Sequence, residues 1–201
     1  MNSRIVKLVL AAALAVAFGA PVLAQTTSPT ASDVQRNVNQ QQRIEQGLKS
    51  GQLNTREAGK LERGEARIEQ MEANAGKNGA VSAREQARIT AAQNRESRAI
   101  HNQKHDAQVG NPGSASSQHM QANVQRNRNQ QQRIEQGVQS GELNTGEVAS
   151  LERGQSRVDR ATARASADGR VGAREQARIQ ARENRQSARV YRNKHNAVVN
   201  G

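Results

Sequence analysis

An all-α fold built twice over is what this sequence predicts, and three observations predict it. Segments 34–107 and 124–197 align without a gap at an offset of 90 residues, with 42 of 74 positions identical. Neither copy contains proline, because the three prolines are Pro21, Pro29 and Pro112. Both are rich in Ala, Gln, Glu and Arg, which lose least on entering a helix. Their apolar residues recur at spacings of three and four, the period of one helix face. The expected organisation is two tandem three-helix units joined by a flexible linker. Its parts are a signal peptide (1–24), a disordered N-terminus (25–33), the first repeat (34–107), the linker (108–123), the second repeat (124–197) and a short tail (198–201).

Each part has its own signature. Arg4 and Lys7 precede an apolar run from Leu8 to Phe18, and small residues up to Ala24 complete a secretory leader with Gln25 as the expected mature start. The run is too short for a membrane span, which needs about 20 apolar residues. No later segment is apolar enough, so the expected destination is the periplasm or the exterior. The first helix of a copy runs from about Val34 to Gly47, with Val34, Val38, Ile44 and Leu48 as its large apolar residues. The second begins at Asn54, where Asn54 and Glu57 have capping-box spacing, and turns Leu61, Ile68 and Met71 to one side. The third begins at Ser82, paired likewise with Glu85, and turns Ile89, Ala92 and Ile100 inward. Gly51 and Gly79 mark the breaks. The second copy repeats this, with Asn144 and Glu147 as the cap and Leu151 and Val158 inward. Between the copies, the stretch QVGNPGSASSQHM reads as linker.

The packing looks thin. Only 11 large aliphatic or Met side chains fall in the 74 residues of the first copy, and the chain has no Cys to staple it. Such a composition approaches that of disordered chains and predicts marginal stability. The charge is lopsided: 30 Lys and Arg against 18 Asp and Glu give +12, and loss of the leader would leave +10. A basic surface favours anionic partners and repels cations. Few His, no Cys and no nucleophile set beside a base or a paired acid argue against an enzyme.

Four loops share one pattern: a small or acidic residue, Gly, any residue, an aliphatic, three more residues and Glu. They begin at Ser50, Asn78, Ser140 and Asp168. The pattern resembles the second half of an EF-hand calcium loop, in degenerate form. The resemblance implies calcium ligands at Asn74, Asn78 and Glu85 in one loop and at Asp168 and Glu175 in another. Helix capping accounts for the same residues, and Arg164 and Ser166 fall where ligands would stand in the last loop. Within one copy these loops lie at opposite ends of the second helix, about 24 Å apart at 1.5 Å per residue, and are not expected to pair. At whole-chain level the line-up RIxxG, SGxLxxxE, LExxxxR, GxVxxxE, S and KH is similar to a group of small secreted proteobacterial helical-repeat proteins of unassigned function. It implies export and helix, and no activity.

Two further features bear on function. His101 and His105 are four apart, share a helix face and could hold a transition metal, although Tyr191 replaces the first of them in the second copy. His119 and Met120 would offer further soft ligands from the linker. Arg174, Arg178, Arg182, Arg185, Arg189 and Arg192 fall within about 80° of arc on the last helix, a continuous basic stripe. Arg84, Arg88, Arg95 and Arg98 are its diluted counterpart in the first copy. Glu175 and Glu183 stand close enough in sequence to neutralise part of it. Arg grips phosphate and sulfate bidentately, so the expected function is a non-enzymatic exported protein binding an anionic polymer or lipid headgroup. The alternative is divalent-metal binding or sensing through the EF-hand-like loops or the His pair. A single Tyr after the leader makes no stacking platform, so sequence-specific nucleic-acid recognition is not expected.

Overall fold

The computed structural model describes residues 31–196, so the expected signal peptide, the segment 25–30 that follows it and the expected tail lie outside the described residues. Six helices follow one another: α1 (Ala31–Ser50), α2 (Thr55–Ala75), α3 (Ala83–Lys104), α4 (Ala115–Gln139), α5 (Thr145–Ala165) and α6 (Ala173–Lys194), with a 3-10 turn at Gly76–Asn78. No strand occurs among the described residues, and no helix is long and apolar enough to cross a membrane. The all-α class is therefore the one the pattern predicts.

The local signals act where expected. Asn54, Ser82 and Asn144 each accept the backbone N–H three residues on, and Glu57, Glu85 and Glu147 reach back to the N–H of the capping residue. The loop glycines Gly51, Gly79, Gly141 and Gly169 have φ between 74 and 89°, a conformation that costs any residue with a Cβ. Two boundaries differ from the sequence reading. Helix α1 begins at Ala31 with Asp33 buried, so the last residues assigned to a disordered N-terminus are helical. Helix α4 begins at Ala115, capped by Ser114, so residues 115–123 of the expected linker are helix and Met120 lies fully in the core. What remains of the connection is tied down: the Gly110 N–H donates to the Gly51 carbonyl at 2.8 Å.

The copies do not stand as separate bundles. The most extensive helix contact in the molecule is α2 against α5, followed by α1 against α4, and both join one copy to the other. Val34 of the first copy packs with Ile134, Leu143, Val148, Leu151 and Val190 of the second. Its equivalent, Val124, together with Met120, packs with Ile44, Leu48, Leu53, Leu61 and Ile100 of the first. Each copy thus lends the start of its first helix to the core of the other. The physical reason is the thin stripe: a unit with so few large aliphatics buries too little on its own, and pooling two units raises the buried fraction. A third, smaller cluster of Met71, Ala75, Val81 and Ile89 seals the far end of α2.

Candidate anion-binding surface

The centre of the α2/α5 and α1/α4 contacts is polar and acidic. Glu69 and Asp159 are equivalent residues of the two copies, as are Glu62 and Glu152, and all four are buried at this contact together with Glu65 and Glu72. Amides from α1 and α4 cross to them. Gln131 donates to Glu69 at 2.9 Å and to Glu152 at 3.0 Å, and Asn127 donates to Glu62 at 3.1 Å and to Asp159 at 2.6 Å. Asn37 donates to Glu72 at 2.9 Å. Neither carboxylate oxygen of Glu65 has a hydrogen-bond partner. Burial, reinforced by the neighbouring acids, pushes Glu62, Glu65, Glu69 and Glu72 well above the usual carboxylate range. Burial likewise raises Glu152 to about 7 and Asp159 to about 8.

This interior sorts the charges by sign. Of the 18 acidic residues, 11 are buried, whereas no Lys or Arg among the described residues is. Glu45 still pairs with Lys49 and Arg128, but burial favours the neutral form of Glu62, Glu65, Glu69, Glu72, Glu152, Asp159 and Glu183, so these offset surface cations less than the formal charge suggests. Glu183 makes the point within the Arg stripe. It sits between Arg182 and Arg185 in sequence, yet it is fully buried and raised to about 7 by that burial. Its nearest cation is Arg126 at 3.5 Å, so it does not neutralise the stripe as its sequence position suggests.

The stripe itself lies on the outer face of α6. Arg174, Arg178, Arg182, Arg185 and Arg192 are exposed, and Arg189 is half-buried, donating to Ser150 Oγ at 2.8 Å and to the Ser150 carbonyl at 3.3 Å. None of the six is in a salt bridge among the described residues, where ion pairs engage Lys49, Arg126, Arg128 and Lys194. Between α5 and α6 runs a groove of about 240 Å³ lined by Gly154, Arg157, Val158, Arg182, Arg185, Gln186 and Arg189, with no acid on its walls. Gln186 lies across Gly154, where a Cβ would displace it, and donates to the Leu151 carbonyl at 2.8 Å. Burial and the facing charges of Arg157, Arg192 and Arg153 lower the Arg189 guanidinium from its usual value, a sign of crowded like charge.

Sequence reasoning missed half of this surface. Arg153, Arg157, Arg160 and Arg164 form a second basic row on α5, and their spacing of 4, 3 and 4 was a readable signal. A second cleft of about 230 Å³ is lined by Arg63 and Arg67 of α2 with Arg160, Ala163 and Arg164 of α5. That cleft exists only because the copies pack against each other.

The residues nominated as metal ligands have local partners. Asn74, in the last turn of α2, accepts from Gln70 at 3.1 Å, and the Asn78 side-chain amide lies against the carbonyls of Ala75 and Ala80. Glu85 accepts from the Ser82 N–H at 3.0 Å and the Ser82 hydroxyl at 2.6 Å, bonds that lower its pKa. Asp168 accepts from the Arg170 N–H, and Glu175 from the Gly172 N–H, each at 2.9 Å. No group of three or more His, Asp or Glu with metal-holding geometry occurs among the described residues. A loop contact forms between the copies: Arg56 donates to the Asp168 carbonyl at 2.9 Å. His101 and His105 are exposed with ring centroids 4.2 Å apart, and His105 Nδ1 lies 2.7 Å from the His101 carbonyl. Tyr191 and His195 repeat that arrangement at the end of α6. His119 Nδ1 lies 2.8 Å from the Val171 carbonyl, and Met120 is a core residue rather than an available ligand.

The chain matches no family model, no curated protein and no solved structure.

Proposed function

We propose that this is an exported, non-enzymatic basic helical protein that binds anionic partners through its Arg faces. The observation that carries the reading is the α5/α6 groove, where Arg157, Arg182, Arg185 and Arg189 converge without a neighbouring acid. Guanidinium groups gathered in one groove without an acid on its walls repel each other, and an oxyanion would relieve that repulsion while accepting bidentate hydrogen bonds. Two features argue against a lipid surface as the partner. Among the described residues the only exposed large apolar side chains are Val109 and Tyr191, and no described helix presents an apolar face to insert.

The test is titration of a sulfated glycan, read by calorimetry at two salt concentrations. Arg157→Gln/Arg182→Gln/Arg185→Gln should lower affinity at least about tenfold and flatten the salt dependence by about two to three counterions. Arg84→Gln/Arg95→Gln/Arg98→Gln removes the same charge from the exposed face of α3 and should cost less than about threefold. Equal losses in the two variants would reduce the groove to an ordinary solvated helix surface.

A further inference from the structure

Resting on that reading, we infer that the ligand is a flexible, base-free linear polyanion bearing phosphate or sulfate groups, which crosses α5 from the α5/α6 groove into the α2/α5 cleft. Three basic depressions adjoin one another along this route. The α5/α6 groove shares Arg182 with a neighbouring hollow of about 220 Å³ lined by Arg164, Arg178 and Ile179. That hollow shares Arg164 with the cleft containing Arg63, Arg67 and Arg160. Arg157, Arg160 and Arg164 form the ridge between them. The one acid lining these three depressions, Glu175, is turned onto the Gly172 N–H as a helix cap.

The shape of this route selects the class of polymer. From Arg189 to Arg178 it follows α6 for about 16 Å at 1.5 Å per residue. It then turns across α5 towards α2, a further step of about 8–10 Å, the usual distance between packed helices. A DNA duplex, with a persistence length of about 150 base pairs, cannot bend into such a path. A single-stranded nucleic acid could bend, but it gains its affinity by stacking bases on aromatic rings, and Tyr191 is the only Trp, Tyr or Phe among the described residues. A chain that carries charge at short intervals and nothing to stack fits what remains. Both phosphate and sulfate have the tetrahedral oxyanion that Arg holds bidentately.

The experiment uses linear polyphosphate and sulfated oligosaccharides, each at about five and about twenty charges, with duplex and single-stranded DNA of equal charge as competitors. Arg63→Gln/Arg67→Gln/Arg160→Gln should weaken the long chains about five- to tenfold and reduce their salt slope by about two. The same variant should leave the short chains within about twofold, because these fit the α5/α6 groove alone. Preference for polyphosphate or for the sulfated chain identifies the source of the oxyanion, and either supports the inference. Unchanged long-chain affinity in this variant would overturn the crossing, and duplex DNA binding as tightly as the flexible chains would overturn the polymer class. Failure of the underlying reading looks different: there, Arg157→Gln/Arg182→Gln/Arg185→Gln would leave every chain unaffected. Gln is nearly as good a helix former as Arg, so circular dichroism should be unchanged. If the triple variant loses helix, Arg67→Gln alone carries the test, with a smaller expected loss of about two- to threefold.

Discussion

The same close helix contact is built twice in this molecule and furnished differently. In the second copy, Gln186 lies over Gly154, and Arg182 and Arg189 stand at the rim. In the first copy, Glu96 lies over Gly64 at the equivalent place, and the positions of Arg182 and Arg189 are taken by Ala92 and Ala99. Glu96 is half-buried and burial raises it to about 7, while Arg67 pulls it the other way. One groove therefore gathers guanidinium groups without a counter-charge, and the other brings its own carboxylate. Equivalent helices and near-identical caps do not make identical sites. Three substitutions decide which face of this duplicated fold can attract an anion.

The largest effect should come from converting the second groove into the first. Arg182→Ala/Gln186→Glu/Arg189→Ala should lower polyanion affinity by more than about tenfold, because two cations are lost and an acid is gained. Retained affinity would mean that the comparison between grooves has no functional content.

The acidic interior gives the next largest effect, on stability rather than binding. The first copy contributes Glu62, Glu65, Glu69 and Glu72 to the α2/α5 contact, whereas the second has Glu152, Gln155, Asp159 and Thr162 at the same positions. Folded-state pKa values raised above the unfolded values mean that the folded chain binds more protons. Stability is then greatest below about pH 4.5 and falls as pH rises through the range of 7 to 8 where Glu152 and Asp159 titrate. Thermal melts at pH 5, 7 and 9 should fall in that order, opposite to ordinary acid denaturation. Glu65→Gln, which copies the second repeat, should raise the melting temperature at pH 8 by roughly 3–8 °C and change little at pH 5. A melting temperature that climbs with pH would contradict the neutral-carboxyl interior.

Grafting in the other direction should give a smaller gain. Ala92→Arg/Glu96→Gln/Ala99→Arg should raise affinity by about three- to tenfold through a second competent groove. In the wild type, residual binding by the first groove should grow as pH falls through about 7, because Glu96 then loses its charge. That increase is best measured in the Arg157→Gln/Arg182→Gln/Arg185→Gln background, and it should vanish when Glu96→Gln is added.

The smallest effect concerns the loops. Glu85 and Glu175 serve as caps on α3 and α6, so millimolar calcium should move the melting temperature by less than about 1 °C. Saturable micromolar binding that Glu85→Gln abolishes would restore the metal reading in the first copy.

Much of the fold was legible because its signals are local. The repeat, the absence of proline, the capping pairs Asn54/Glu57 and Ser82/Glu85, and the loop glycines each act within a few residues of chain. Six helices follow from those, with the starts of α2, α3 and α5, whereas α1 and α4 begin earlier than these signals say. The Arg stripe on α6 was legible for the same reason, since a helix face is a property of spacing. What the sequence could not decide is where the second copy packs. Val34 and Val124 are equivalent, and nothing in either segment says that each completes the core of the other. That exchange depends on how much apolar surface two whole units can pool, a sum over distant residues. The fate of the acids depends on it as well: Glu183, expected to neutralise part of the stripe, is buried instead, and the α2/α5 contact encloses Glu69 and Asp159. Once they are enclosed, burial favours their neutral form and takes their carboxylates off the outer face where the stripe arginines stand. The basic surface is therefore a property of the assembled fold, because desolvation of a carboxyl is set by everything packed around it.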